Sequence, residues 1–232
     1  MRNSPALDWN EISGNLNRAG CAVLGGILSA AECAALAESY QMDAIFRSKV
    51  VMARHGFGRG EYQYFAYPLP ERVAALREML YPPLAEMANR WSEAMGVETR
   101  YPERLEEYLK ICHEAGQTKP TPLLLSYQPG DYNCLHQDLY GEHVFPLQAT
   151  VLLTEPGRDF TGGAFVLTEQ RPRMQSRVEV VELRRGDCVI FPVRYRPVKG
   201  SRGFYRVAMR HGVSRVLSGQ RYTLGVIFHD AK

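Results

Sequence analysis

Two histidines and one aspartate at uneven spacing are the residues of this chain that could hold a metal ion. His136 and Asp138 are separated by a single residue, and His211 follows much later. Two imidazoles and one carboxylate form the ligand set that binds Fe(II) on one face and leaves the other face open for chemistry. Arg221 lies ten residues after His211, and its guanidinium suits a bidentate grip on a carboxylate. These four residues predict an iron centre beside a carboxylate-binding arginine.

The second half of the chain must bring these residues together. After Pro120 the sequence consists of short segments rich in branched and aromatic residues, separated by Gly, Pro or charged residues. This is the pattern of strands, and on a strand His136 and Asp138 would point to the same face. Seven strands and one ambiguous segment predict two packed sheets, as in a jelly-roll or cupin-like barrel. The predicted strands are 123–128, 145–153, 164–168, 178–183, 188–192, 205–213 and 222–228.

Helical signals dominate before residue 120. Ser29 and Glu32 form a capping box, which predicts a helix from there to about Tyr40. Residues 71–95 carry apolar side chains at helical spacing, with a break or kink expected at Pro82-Pro83. A further short helix is expected at 105–115. We expect these helices to buttress one of the sheets, which makes the fold class α+β.

The segment 43–68 between the predicted helices contains Arg54-His-Gly-Phe-Gly-Arg-Gly-Glu-Tyr. Three glycines among aromatic and basic residues predict a mobile loop. Such a loop is either a lid over a pocket or a surface loop without a function.

Length and composition indicate one soluble globular domain. The 232 residues, 45% of them apolar, can form one sizeable core and exclude a disordered chain. Residues 1–120 would give helical support and the possible lid, and residues 121–232 the core that carries the site. Five scattered cysteines favour the cytoplasm over a disulfide framework. Residues 1–15 lack the apolar region of a secretory signal, and the apolar run 21–37 is too short to span a bilayer.

Positive charge is concentrated in residues 171–215. Eleven Arg and one Lys against three acidic residues give this stretch a charge of +9, so the remainder carries −6 of the total of +3. A local basic excess attracts a polyanion such as nucleic acid, or an acidic peptide. The alternative is that these charges are solvated strand faces and loops.

The motifs around the four residues resemble those of the Fe(II)/2-oxoglutarate-dependent dioxygenases over residues 123–228. The resemblance rests on Tyr-x-x-Gly-x5-His-x-Asp from Tyr127, on Gly162-Gly163-Ala-Phe-Val, and on His-Gly-Val-x-x-Val-x-x-Gly-x-Arg-Tyr from His211. It implies a double-stranded β-helix fold, with Fe(II), 2-oxoglutarate and O2 as cofactor and co-substrates. His136, Asp138 and His211 would be the iron ligands, and Arg221 would bind the distal carboxylate of 2-oxoglutarate.

The resemblance also gives Tyr127 and Asp138 more specific meanings. Members of these enzymes often carry a tyrosine at the position of Tyr127 that bonds the co-substrate; alternatively, Tyr127 simply packs in the core. Halogenases of the superfamily typically lack the carboxylate ligand, so Asp138 favours hydroxylation of a C–H bond.

Two branches of the superfamily look similar to this chain, and they differ in substrate. The Gly-Gly strand and the ten-residue interval from histidine to arginine resemble prolyl-hydroxylase-like enzymes, which implies a peptide or small-molecule substrate. The His-Gln-Asp motif and Arg-Tyr-x-Leu resemble AlkB-like nucleic-acid dealkylases and a small bacterial group acting on damaged nucleic acid. Against the dealkylase branch, Ile227 stands where its second arginine would be, and Leu125 where its asparagine would be.

We expect oxidative demethylation of alkylated nucleic acid, with prolyl, protein or small-molecule hydroxylation as the alternative. A cupin-like binding protein without turnover is a third hypothesis. Cations and aromatic residues alternate in residues 194–206, and such a segment could grip phosphates and stack a base. The candidate substrate contacts are Arg194, Arg196, Arg202 and Tyr64.

Overall fold

The computed structural model describes residues 7–139 and 141–232, and within them the chain forms four α-helices and fifteen strands. The helices are α1 (Trp9–Ala19), α2 (Ala30–Glu38), α3 (Glu71–Ala94) and α4 (Leu105–Glu114). The strands of the first half are β1 (Ala22–Leu24), β2 (Phe46–Val51), β3 (Gly58–Arg59) and β4 (Glu61–Phe65). Those of the second half are β5 (Leu123–Tyr127), β6 (Tyr132–His136), β7 (Leu147–Leu152), β8 (Phe160–Gly162), β9 (Phe165–Gln170), β10 (Arg177–Val181), β11 (Cys188–Pro192), β12 (Tyr195–Gly200), β13 (Gly203–Val213), β14 (Val216–Gly219) and β15 (Arg221–Val226).

Two antiparallel sheets form the centre of the fold. The larger sheet has the order β1-β11-β7-β15-β5-β4-β2, and the smaller has the order β10-β9-β13-β6-β3 with β12 paired to β13. Consecutive strands of the second half often lie in different sheets, as β5 and β6 do, so the chain passes back and forth between them. The predicted α+β fold with a jelly-roll core and buttressing helices is confirmed.

Alternation along the central strands explains why the larger sheet carries helices on one face. On β11, Cys188 and Ile190 pack with the helices, while Val189 and Phe191 pack between the two sheets. A strand buried on both faces is apolar at every position, as β11 is. The inner face of the same sheet is thereby available to line a site.

The helices are close to their predicted positions. Both hydrogen bonds of the capping box between Ser29 and Glu32 are present at the start of α2. Helix α3 runs for 24 residues through Pro82 and Pro83, so the expected break is absent. None of the helices in the described residues is both long and apolar enough to cross a lipid bilayer. Helix α1 falls largely within the segment considered for a secretory signal, of which residues 1–6 lie outside the described residues.

The first half is less purely helical than predicted, because it contributes four strands. The segment 43–68, expected to be a mobile loop, contains β2, β3 and β4. Strand β4 pairs with β5 and extends the larger sheet, while β3 pairs with β6 in the smaller one. The glycine-rich sequence therefore joins the two sheets at one end of the fold.

Candidate active site

The two histidines face each other on neighbouring strands. His211 of β13 is the direct partner of His136 of β6, and their ring centroids are 4.2 Å apart. Strand β6 ends at His136, so Asp138 lies just beyond it rather than on it. Oδ1 of Asp138 lies 3.3 Å from Nε2 of His136, and Oδ2 lies 3.3 Å from Nε2 of His211. One potential ligand atom from each residue lies within 4.8 Å of the others, which fits a single metal ion.

The protonation of this cluster suits a cation. Burial alone would raise the pKa of Asp138, but the hydrogen bonds and charges of the two imidazoles outweigh it and hold that pKa well below its usual range. Burial lowers the pKa of His211. Burial would also lower the pKa of His136, but Asp138 outweighs it and raises that pKa. Because a metal ion binds an ionised carboxylate and neutral imidazoles, binding would compete with a proton on His136. The donor set therefore fits Fe(II) in the types of its ligand atoms.

Gln148 is a polar contact of the cluster that the sequence did not reveal. This buried residue of β7 donates from Nε2 to Oδ2 of Asp138 at 2.9 Å. Because the carboxylate can only accept, this contact fixes which end of the amide faces Asp138. Gln148 thereby orients the carboxylate toward the two histidines.

We expect Gln148→Leu to weaken Mn(II) binding by about 10- to 100-fold, because hydrogen-bond partners of metal ligands have effects of this size. Isothermal titration of the metal-free protein with Mn(II) measures the affinity. Gln63→Leu is the matched control, since Gln63 is equally buried at 4% exposure but donates to the Tyr40 carbonyl, away from the cluster. Equal affinities for the two variants would show that Gln148 does not orient the ligand.

Arg221 lies in the same cavity as the cluster. It is the first residue of β15 and is paired with Tyr127 of β5, and only 1% of its surface is exposed. Its Nη1 lies 3.5 Å from Oγ1 of Thr223, and its buried Nε has no hydrogen-bond partner. Burial lowers the pKa of Arg221 to about 10. A buried guanidinium without a carboxylate among the described residues is a site for an anionic ligand.

Gly163 of the Gly162-Gly163 pair packs directly against the side chain of Arg221. A Cβ at this position would lie 2.9 Å from Cδ of Arg221, and its φ of +61° is in the left-handed region. Both constraints favour glycine. The space for the buried guanidinium is therefore provided by a residue far from it in sequence.

Tyr127 and Tyr64 both line the cavity, whose volume is about 320 Å³. Tyr127 is fully buried, its hydroxyl is 3.4 Å from Nδ2 of Asn133, and burial raises its pKa to about 12. The guanidinium of Arg47 lies over the ring of Tyr64 at 4.4 Å. Tyr127 is thus a neutral hydroxyl near Arg221, and Tyr64 belongs to the cavity wall.

Arg196 does not contact solvent, so its prediction as a substrate contact was wrong. Only 1% of it is exposed, and its guanidinium forms a buried ion pair with Glu169. It also donates at 2.8 Å to the carbonyl of Asn17 in α1. Arg196 therefore ties α1 to the smaller sheet.

The two other predicted cations are exposed. Arg202 is at the turn between β12 and β13, nine residues from His211, which corresponds to about 30 Å of extended chain. The same hairpin contacts α3 through Arg206, which donates to the Met95 carbonyl. The Arg194 carbonyl lies 3.4 Å from the Gln137 side chain, but Arg194 does not line the cavity. The hairpin that carries much of the basic segment is therefore directed toward the helices.

Breaking the Arg196–Glu169 pair should destabilise the fold in a pH-dependent way. Burial would raise the pKa of Glu169, but Arg196 and Arg171 outweigh it and lower that pKa. The stabilisation is therefore present above the unfolded-state pKa and is lost as the pH falls through the folded-state value. We expect Glu169→Gln to lower the free energy of unfolding by about 3–5 kcal/mol at neutral pH.

Urea unfolding at neutral and acidic pH measures this effect. The difference between wild type and Glu169→Gln should shrink on acidification. The exposed Glu182 provides a control, because Glu182→Gln should change stability by less than about 0.5 kcal/mol. A difference that stays constant with pH would contradict the ionised pair.

Comparisons with known proteins agree with this fold. Two structures share the fold, a 2OG-Fe(II) oxygenase family oxidoreductase from Burkholderia pseudomallei and a prolyl-4-hydroxylase from Pseudomonas putida. The first has a TM-score of 0.55 at 15% identity and covers 100% of this chain and 95% of its own. The second has a TM-score of 0.53 at 16% identity and covers 94% and 96%. These two structures confirm the double-stranded β-helix fold of this chain.

Residues 60–231 match the family Oxygenase-NA, described as an oxygenase catalysing oxidative methylation of damaged DNA, and the chain belongs to this family. It is also 48% identical over 167 residues to uncharacterized proteins of two Mycobacterium tuberculosis strains, covering 72% of either chain. Membership of an oxygenase family decides between an enzyme and a cupin-like binding protein in favour of the enzyme.

Proposed function

We propose that this oxygenase hydroxylates N-alkyl groups on nucleic-acid bases, with one active centre formed by the whole chain. His136, Asp138 and His211 would hold Fe(II), and Arg221 and Tyr127 would bind 2-oxoglutarate. The single observation that carries the reaction type is the convergence of the three ligand residues and Arg221 on one cavity. The family's description as an oxygenase of damaged DNA supports nucleic acid as the substrate class.

Each part of the cavity has a distinct task in this proposal. Bound Fe(II) supplies the redox chemistry that converts O2 and 2-oxoglutarate into succinate and carbon dioxide while a C–H bond is hydroxylated. Arg221 binds the distal carboxylate and fixes the direction of the co-substrate. The neutral hydroxyl of Tyr127 can donate a hydrogen bond to the same carboxylate. Apolar walls, including Leu125 and Phe165, exclude water from the reacting carbon.

The overall reaction balances without a further reductant. An N-methyl group, O2 and 2-oxoglutarate give an N-hydroxymethyl group, succinate and carbon dioxide. The N-hydroxymethyl group then breaks its C–N bond, returns a proton to the nitrogen and releases formaldehyde. The base is restored with an N–H in place of N–CH3.

Formaldehyde release from single-stranded oligonucleotides with one N-methylated base tests this function. The assay contains Fe(II), 2-oxoglutarate and O2, and it counts succinate in parallel. Formaldehyde and succinate in equal amounts support the proposal. Succinate production coupled instead to a gain of 16 mass units on a peptide would overturn nucleic acid as the substrate and indicate a protein hydroxylase.

The proposed place of action is the cytoplasm. All five cysteines are free, and four of them are buried. Unpaired cysteines are typical of a reducing compartment.

A further inference from the structure

The turn of residues 54–59, which includes strand β3, is hydrogen-bonded directly to β6, the strand that carries His136. Gly58 is the partner of Asn133, and the backbone N–H of Cys134 donates to the Phe57 carbonyl at 2.9 Å. Cys134 precedes His136 by two residues. The turn therefore fixes the position of Phe57 at the mouth of the cavity.

Close packing explains Gly58 in this turn and Gly60 just after it. A Cβ at Gly58 would lie 2.4 Å from the Tyr132 carbonyl oxygen, and one at Gly60 would lie 2.9 Å from the ring of Tyr127. Both residues have φ above +110°. The glycines thus let the turn approach β6 and the co-substrate tyrosine closely, whereas the sequence suggested that they serve mobility.

Three side chains form an apolar rim around the mouth. Phe57, Leu135 and Leu139 are 46%, 47% and 44% exposed, and all three line the cavity. The ring of His55 stacks on that of Phe57, with centroids 5.3 Å apart and planes inclined by 23°. Exposed apolar side chains grouped beside a catalytic cavity indicate a binding surface.

The charge of this region complements a polyanion. Residues 46–60 contain Arg47, Lys49, Arg54 and Arg59. Lys49 forms an ion pair with Glu61 and Arg47 lies over the ring of Tyr64, so Arg54 and Arg59 are the cations of this segment that a ligand can reach. Arg54 is exposed, and the side chain of Arg59 is 64% exposed with Asp131 as a distant partner at 4.0 Å. Cations beside a stacking aromatic surface are what single-stranded nucleic acid requires, because phosphates need charge and unpaired bases need a flat ring.

We infer that the turn 54–59 and the rim bind single-stranded nucleic acid, with a base stacked on Phe57 and phosphates held by Arg54 and Arg59. This inference rests on the proposed function and assigns its substrate surface to the first half of the chain. The base next to the one undergoing oxidation would lie on Phe57 outside the cavity. A duplex offers no free base face at this place, so single strands are preferred.

Fluorescence anisotropy with a fluorescein-labelled single-stranded oligodeoxynucleotide tests the stacking contact. The protein is loaded with Mn(II) and 2-oxoglutarate, so no turnover occurs. Phe57→Ala should weaken binding by about 5- to 150-fold, which corresponds to the stacking of one base. Phe204→Ala is the matched control because Phe204 is 55% exposed on the β12–β13 hairpin, and it should leave affinity unchanged. Phe57→Trp should retain binding.

The salt dependence of the same titration tests the phosphate contacts. Each phosphate contact on a single strand contributes about 0.7 to the slope of log K against log salt. The double variant Arg54→Gln/Arg59→Gln should therefore lower the slope by about 1.4. The control Lys199→Gln/Arg202→Gln, on the hairpin, should keep the wild-type slope.

Several outcomes separate this inference from the proposed function. If Phe57→Ala and Phe204→Ala lowered oligonucleotide affinity equally, or if a duplex bound more tightly than a single strand, the rim would not be the binding surface. Formaldehyde release would still test the proposed function independently. Failure of the wild type to bind any oligonucleotide would overturn both. An unchanged melting temperature of Phe57→Ala, expected for an exposed side chain, confirms that weaker binding is not a folding defect.

Discussion

Asp138→Ala should abolish succinate formation while the protein remains folded. The substitution leaves two neutral imidazoles and removes the charged ligand of the cluster. Metal ions supply several kcal/mol to reactions of this kind, and each 1.4 kcal/mol is a factor of ten, so a loss of about 1000-fold or more is expected. Mn(II) titration should show a parallel loss of metal affinity. The apo protein should lose some stability at neutral pH, because the lowered pKa of Asp138 shows that the fold favours its ionised form and because Ala removes the acceptor of Gln148.

A nearby carboxylate that does not face the cluster provides the control for this prediction. Glu142 is exposed, and Glu142→Ala should keep wild-type turnover and metal affinity. If Asp138→Ala retained turnover within tenfold of the wild type, the carboxylate would not be an iron ligand. The two oxygens of Asp138 would then serve only to hold the histidines.

The features that the sequence predicts well depend on residues close to each other in the chain. The capping box of α2 spans four residues, and β11 is recognised by a short apolar run, so both could be located from local pattern. The His-x-Asp pair is also local. Its partnership with His211 followed from the order and spacing of motifs, and the direct pairing of His136 with His211 explains why that spacing works.

The features that the sequence missed depend on contacts between distant strands. Gln148 reaches Asp138 because β7 lies beside the site, and no local pattern distinguishes it from other glutamines. A count of charges cannot tell that Arg196 is buried against Glu169, whereas Arg54 is exposed beside the cavity. The positive charge of residues 171–215 therefore includes at least one arginine, Arg196, that is buried and cannot attract a ligand at the surface. Pairing and burial are set by the tertiary structure, which composition does not report.

Arg221→Met should show separately how the buried guanidinium affects the stability of the apo protein and how it affects co-substrate binding. In the apo protein the guanidinium is buried and no carboxylate of the described residues pairs with it. Replacing such a charge with an apolar side chain of similar volume is neutral or stabilising by up to about 4 kcal/mol. We therefore expect an equal or higher melting temperature for the variant without 2-oxoglutarate.

The same substitution should remove the binding of the co-substrate's distal carboxylate. Loss of one partner of a buried charge pair costs about 2–5 kcal/mol, so the KM for 2-oxoglutarate should rise by about 30- to 5000-fold. The stabilisation that 2-oxoglutarate gives the wild type in thermal unfolding should disappear. The co-substrate analogue 2-oxopentanoate, which lacks the distal carboxylate, should bind the variant at least as well as it binds the wild type. A variant that still prefers 2-oxoglutarate over this analogue would show that another residue holds the carboxylate.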